Sequence, residues 1–88
     1  ENGGDGIETM HLILDDKGEA LEFRIKEEDS LCGKTLIELP LKENVLIACI
    51  NRDGKVIIPR GKDSILPGDS VIVVTTHHGV TSIEEILK

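Results

Sequence analysis

The residues of this chain that could carry chemistry are carboxylates, two cysteines and three histidines: Cys32, Cys49, His11, His77 and His78. A nucleophilic site needs a serine, cysteine or threonine beside a base and an orienting acid, and no histidine lies in such a context. The cysteines lie in apolar segments without metal-ligand spacing. The carboxylates at positions 27–29 form a charged run typical of solvated surface. We therefore expect a protein that is not an enzyme.

A basic corner lies between two apolar runs of an otherwise acidic chain. Four residues there are candidates for ligand binding: Asn51, Arg52, Arg60 and Lys62. Guanidinium and ammonium groups can bind a small anion, but they also pair with carboxylates of the same chain. Asp53, Asp63 and Asp69 are close enough in sequence to do so, and both interpretations stay open.

The elements that must position this corner are predicted to be mostly strands. In ALEFRIK (20–26), Leu21, Phe23 and Ile25 alternate with charged residues, which indicates a strand with one buried face. Four other segments have the composition of strands: 9–14, 45–50, 55–59 and 70–76. The first of these is expected to form a hairpin with 20–26.

Turn residues and helix signals connect these strands. Asp53-Gly54 predicts a two-residue hairpin, and Leu66-Pro67-Gly68-Asp69 predicts a type II turn. Thr35 and Glu38 have capping-box spacing, which predicts a short helix that lays Leu36, Ile37 and Leu39 on the sheet.

A second helix is predicted at 81–88, capped by the pairs Thr81 with Glu84 and Ser82 with Glu85, with Ile83, Ile86 and Leu87 on one side. The fold class is α+β: a small β-sheet sandwich with one short internal helix and a C-terminal helix.

Composition excludes several functions. Of the 88 residues, 17 are acidic and 10 basic, and Phe23 is the only aromatic residue. A net charge of −7 repels phosphate backbones, and bases have no platform to stack on, so nucleic acid is not an expected partner. No apolar run is long enough for membrane insertion.

The residue pattern between Gly33 and Asp69 resembles a known family. The residues that carry it are Gly33, Leu36, Leu39, Ile50, Arg52, Pro59, Gly61, Gly68 and Asp69. On these residues, positions 9–88 resemble the C-terminal domain of the regulator-of-potassium-conductance (RCK) unit, the TrkA-C domain. The segments at 10–12 and 19–22 are most similar to the Trk-type potassium-uptake regulators, and residues 1–8 are expected to be a flexible leader or linker remnant.

The resemblance implies a cytoplasmic regulatory domain. Such a domain forms a homodimer, lies beneath a membrane potassium transporter and responds to a small ligand, which is cyclic di-AMP in some relatives. The resemblance also implies that NAD would bind only to a preceding Rossmann half. Two alternatives are kept: a purely structural dimerisation module, and the same domain attached to an anion permease or a cation/proton antiporter.

Overall fold

The computed structural model describes Asp15 and residues 18–88. The predicted strand at 9–14 and the leader at 1–8 lie outside the described residues, as does the hairpin that this strand was expected to form. The described part contains four strands and two short 3-10 helices: β1 (Glu19–Arg24), η1 (Leu36–Glu38), β2 (Val45–Arg52), β3 (Lys55–Ile57), β4 (Ser70–Thr75) and η2 (Ile83–Ile86).

The four strands form one antiparallel sheet in the order β1-β4-β2-β3. β4 and β2 are central because each pairs on both sides, while β3 pairs only with β2 among the described strands. Apolar side chains from one face of the sheet, together with Ile25, Leu31, Leu39, Ile65, Ile83 and Ile86, form the core. The predicted small sheet is therefore confirmed, but loops and 3-10 turns, not a second sheet, cover its core face in the described part.

A β-bulge interrupts the pairing of β2 with β4. Ile47 pairs with Val73 and Cys49 pairs with Ile72, so one residue of β2, Ala48, has no partner across the ladder. Before the bulge the buried residues of β2 are odd-numbered, Val45 and Ile47, and after it the buried residue is Ile50. An inserted residue reverses which side chains face the core.

Both predicted turns are confirmed. In the β2–β3 hairpin, Asp53 and Gly54 have φ of 53° and 78°, as a type I′ turn requires. In the second turn Gly68 has φ of 88°, and the Asp69 amide donates to the Leu66 carbonyl at 3.1 Å.

The helices are shorter than predicted. η1 follows Thr35, whose amide donates to Glu38 Oε1 at 2.8 Å, but it has only three residues. The apolar face predicted for 36–39 also does not form, because Leu39 is 8% exposed and Ile37 is 77% exposed. Pro40 follows directly, and a proline cannot continue a hydrogen-bonded helix.

The predicted C-terminal helix is not confirmed. The segment forms the four-residue 3-10 helix η2, with Ile83 and Ile86 buried as expected. The two predicted capping pairs are absent from this segment, because Glu84 accepts hydrogen bonds from Ser30 and Glu85 accepts from Thr81. No helix in the described part of the chain has the length and hydropathy needed to cross a bilayer.

Candidate functional site

Among the predicted ligand residues, Arg52 has side-chain partners within the fold. Its guanidinium donates from Nε to Asp69 Oδ1 at 2.9 Å and from Nη2 to Asp69 Oδ2 at 2.8 Å. Nη2 also donates to the Ser64 carbonyl at 2.8 Å. This bidentate pair joins the end of β2 to the turn that precedes β4, and the structural interpretation of Arg52 is the one that the contacts support.

Asp69 is the buried member of this pair. It is 1% exposed, and its Oδ2 atom also accepts from the Leu66 amide at 2.9 Å. The hydrogen bonds from Arg52 lower the pKa of Asp69, against the effect of burial, and the same interaction raises the pKa of Arg52. Both groups are therefore charged at neutral pH, and every part of the carboxylate is engaged within the fold.

Arg60 lies in a tight turn that packs beside η1. The Arg60 amide donates to Asp63 Oδ2 at 2.6 Å, and the Asp63 amide donates to the Arg60 carbonyl at 2.9 Å. Backbone amides of η1 then bond to this turn, from Leu36 to the Asp63 carbonyl and from Ile37 to the Gly61 carbonyl, both at 3.0 Å. The backbone thus fixes Arg60 and Ile37 near each other, while Arg60 and Lys62 are exposed.

An exposed apolar stripe begins at β3 and leads to Arg60. Val56 and Ile58 are 67% and 72% exposed, whereas Ile57 and Pro59 between them are half-buried. Because side chains of an extended chain alternate, Val56 and Ile58 project to the same side, and the exposed Arg60 follows after β3 has ended. Asn51 is the cross-strand partner of Val56 and is also exposed.

These residues are exposed on or next to β3, the last strand of the described sheet. Ile37 adjoins them through Gly61, since its Cβ lies 3.6 Å from the position of a Cβ on Gly61. We call this set the β3 surface, and its members are Ile37, Asn51, Val56, Ile58 and Arg60. It combines three apolar side chains with an amide and a guanidinium, a set that suits a planar ligand bearing negative charge.

Sequence reasoning found two members of the β3 surface, Asn51 and Arg60, and missed the three apolar ones. A signal was present, because Val56, Ile57 and Ile58 are three successive apolar residues after a hairpin turn. A strand with apolar side chains on both sides either lies inside a sheet or leaves one apolar side exposed. In the described sheet β3 is the edge strand, and the second case holds.

A concavity of about 180 Å³ lies between β1 and the C-terminal segment. Phe23, Arg24 and Lys26 line one side, and Thr81 to Glu84 line the other. Its carboxylates are already engaged: Asp29 accepts from the Lys26 amide at 2.7 Å, and Glu84 accepts from Ser30, which lowers the pKa of Glu84. These contacts give the cleft a structural role in tying the 26–30 segment to η2.

Comparison with known proteins gives consistent results. Residues 20–88 match the model of the TrkA-C domain. A curated relative, the Trk system potassium uptake protein TrkA homolog 2 of Methanosarcina mazei, is 32% identical over 97% of this chain and 19% of its own length. The TrkA homolog of Archaeoglobus fulgidus is 36% identical over 80% of this chain and 16% of its own length. The chain therefore spans less than a fifth of the length of these relatives.

The fold also matches a solved structure. The RCK C domain of the potassium transport protein KtrA, in complex with cyclic diadenosine monophosphate, superposes with a TM-score of 0.58 and 25% identity. The match covers 73% of this chain and 76% of that domain. The similarity thus extends from the sequence to the arrangement of the sheet.

Proposed function

Because the chain belongs to the TrkA-C domain family, we propose that it is the ligand-sensing and dimerisation domain of a cytoplasmic regulator of potassium uptake. It binds and signals, and no bond is made or broken. The regulator lies at the inner face of the membrane through its transporter, and NAD binds to a separate Rossmann half of the full-length protein. The proposal rests on the family together with the exposed β3 surface.

The proposed ligand is cyclic di-AMP, the molecule bound by the related KtrA domain. The β3 surface and Lys62 offer side chains for both the adenine rings and the phosphates of this ligand. The aliphatic side chains of Val56, Ile58 and Ile37 cover a face of the adenine ring, and the Asn51 amide bonds to its edge. Arg60 and the neighbouring Lys62 neutralise phosphate charge. Arg52 keeps its ion pair with Asp69 and does not contact the ligand.

The mechanism is linkage between ligand binding and the arrangement of paired domains. A ligand shifts an equilibrium only by the difference between its affinities for the two arrangements. A dinucleotide held between two copies favours the arrangement in which both β3 surfaces reach it. The full-length regulator transmits this preference to the transporter that it serves.

The experiment is calorimetric titration of the 88-residue chain with cyclic di-AMP, with light scattering to report the molecular mass. We expect a dimer that binds one dinucleotide per pair of chains, and no comparable binding of ATP or ADP. Arg60→Gln should weaken the affinity by about tenfold, because one charge-assisted hydrogen bond is lost. The matched control is Arg24→Gln, an exposed arginine on β1, at the other end of the described sheet.

Two outcomes contradict the proposal. If Arg24→Gln weakens binding as much as Arg60→Gln, the effect belongs to overall charge and not to the β3 surface. If the chain is a dimer that binds no dinucleotide, it is a structural dimerisation module, the first alternative. The second alternative, attachment to an anion permease or a cation/proton antiporter, is tested by which transporter co-purifies with the full-length regulator.

A further inference from the structure

The concavity between β1 and the C-terminal segment is separate from the β3 surface, because β1 and β3 lie at opposite ends of the described sheet. We call it the β1 cleft, and Phe23, Lys26, Asp29 and Ile83 are among the residues that line it. Its volume is about 180 Å³. Pockets for drug-sized ligands begin at about 300 Å³, so this cleft suits a smaller molecule than a dinucleotide.

Two apolar side chains line the β1 cleft. Phe23, the only aromatic residue of the chain, is half-buried and packs against the core, and Ile83 is 5% exposed. An aromatic ring beside a branched aliphatic side chain gives an apolar group of a ligand a large contact area. A ligand that suits this cleft therefore has an apolar part.

Charged groups of both signs also line the β1 cleft, and their charges sum to zero. Arg24 and Lys26 are cations, and Asp29 and Glu84 are anions. None of the four takes part in an ion pair among the described residues. The whole chain has a net charge of −7, so this balance is local. A ligand that carries one charge of each sign and no net charge complements such a lining.

Lys26 and Asp29 are the charged groups that are available to this ligand. They belong to one turn, in which the Lys26 amide donates to Asp29 Oδ2 at 2.7 Å and the Asp29 amide donates to the Lys26 carbonyl at 3.0 Å. The turn holds both residues at the cleft, yet their side chains do not pair with each other. Asp29 Oδ1 has no hydrogen-bond donor among the described residues.

The other two charged groups have partners elsewhere. Both carboxylate oxygens of Glu84 accept hydrogen bonds from Ser30. The Nη1 atom of Arg24 reaches the Gly68 carbonyl at 3.4 Å. These two side chains complete the wall of the cleft, and the contacts to a ligand's charges fall to Lys26 and Asp29.

We propose that the β1 cleft binds a small zwitterion with an apolar body, of the class of the apolar α-amino acids. The carboxylate of the ligand pairs with the Lys26 ammonium, and its own ammonium group donates to Asp29 Oδ1. Its side chain contacts Phe23 and Ile83. A molecule with only one of the two charges leaves the other charged group of the cleft without a partner. This inference does not depend on the ligand of the β3 surface.

The test is a titration of the isotope-labelled 88-residue chain with L-leucine, followed by the NMR shifts of its backbone amides. The titration extends to about 20 mM, because a small ligand in an open cleft binds in the millimolar range. We expect shifts concentrated at 23–29 and 81–84. Isocaproate lacks the ammonium group of leucine and isoamylamine lacks its carboxylate, and each should bind about fivefold more weakly.

Three outcomes of this titration overturn the inference. The first is the absence of shifts with leucine, and the second is a set of shifts confined to other parts of the chain. The third is equal affinity for leucine and either analogue, because the cleft would then recognise a single charge and not a zwitterion.

Variants of the two charged residues separate their roles. Lys26→Gln should weaken leucine binding about fivefold. Asp29→Asn keeps an oxygen that accepts from the Lys26 amide, so the turn remains, and it should weaken the binding of leucine but not of isocaproate. The matched control is Lys42→Gln, an exposed lysine outside the cleft.

The amide spectra of these variants should overlay with that of the wild type outside the cleft, which shows that the fold is intact. If Lys42→Gln weakens leucine binding as much as Lys26→Gln, the effect belongs to the charge of the whole chain and the inference is overturned. Equal loss of leucine and isocaproate binding in Asp29→Asn also overturns it. A chain that binds leucine in the β1 cleft but no cyclic di-AMP keeps this inference and removes the ligand proposed for the β3 surface.

Discussion

At the scale of the residue, Arg52 and Asp69 show how two charged groups hold a small domain together. The guanidinium joins β2 to the turn before β4 and also bonds to the Ser64 carbonyl, while the carboxylate accepts from the Leu66 amide. Removing the arginine leaves a carboxylate that is 1% exposed with one remaining donor. Breaking one side of a buried pair costs more than the pair contributes, because the other charge stays buried.

We predict that Arg52→Gln lowers the free energy of unfolding by about 2–3 kcal/mol at pH 7. The pKa of Asp69 is held below its ordinary value of 3.8 in the folded protein. The contribution of the pair is therefore complete above that value and is lost as pH falls through the lowered pKa. Urea titrations at several pH values should show the deficit of the variant shrinking below about pH 4.

Arg24→Gln is the control for this comparison, since Arg24 is exposed and its Nη1 atom reaches the Gly68 carbonyl at 3.4 Å. Its effect should be within about 0.5 kcal/mol of wild type. A deficit of Arg52→Gln that stays constant from pH 7 to pH 2 would show that Asp69 is not the group that arginine stabilises.

At the scale of the element, turns decide where each strand begins. Gly68 has φ of 88°, in the left-handed region, and no atom lies within 4 Å of the position of a Cβ there. The requirement at this position is conformational, because the type II turn needs positive φ. Gly61 also carries the family pattern, but its φ is outside that region and a Cβ would meet Ile37 at 3.6 Å, an ordinary contact.

We predict that Gly68→Ala lowers the free energy of unfolding by about 1 kcal/mol, and that Gly61→Ala changes it by less than about 0.5 kcal/mol. Thermal unfolding followed by circular dichroism measures both. Equal destabilisation would mean that Gly61 is needed for packing against η1 in a way that its contact distance does not indicate.

At the scale of the whole molecule, stability comes from one core, and the proposed binding surface lies at an edge of the described sheet that the core leaves exposed. Ile50 is 0% exposed, whereas Ile37, an apolar residue of the same type, is 77% exposed. Ile50→Ala should lower the free energy of unfolding by about 3 kcal/mol, because a cavity is left behind. Ile37→Ala should change it by less than about 0.5 kcal/mol and should weaken ligand binding instead.

Urea unfolding at low protein concentration measures the first effect, and titration with cyclic di-AMP measures the second. If Ile37→Ala destabilises the fold as much as Ile50→Ala does, the β3 surface is part of the core and not a binding surface.

The sequence by itself determined the local elements of the described part. Alternation predicted β1, continuous apolar runs predicted β2 and β4, and the Asp-Gly and Pro-Gly pairs predicted the two turns. These signals are local, because side-chain period and backbone φ depend on a few neighbouring residues. The family resemblance followed from the same motifs, and the family match at residues 20–88 confirms it.

The lengths of the two helices were not determined by local sequence signals. The capping pairs predicted at 81–85 do not form, because Glu84 bonds to Ser30, which is 54 positions away, and Glu85 bonds to Thr81. A tertiary hydrogen bond thus replaced a local one, and a segment of this length forms too few backbone bonds to stay helical alone.

Only the tertiary structure decided that Arg52 pairs with a carboxylate of the fold, whereas Arg60 is exposed to solvent. The bulge at Ala48 reverses the alternation of β2, so Arg52 faces Asp69 and Asn51 faces outward beside Val56. Without that inserted residue the two side chains would exchange faces. The order of the described strands, which leaves β3 at their edge, likewise depends on contacts between distant segments, and the local sequence pattern does not specify those contacts.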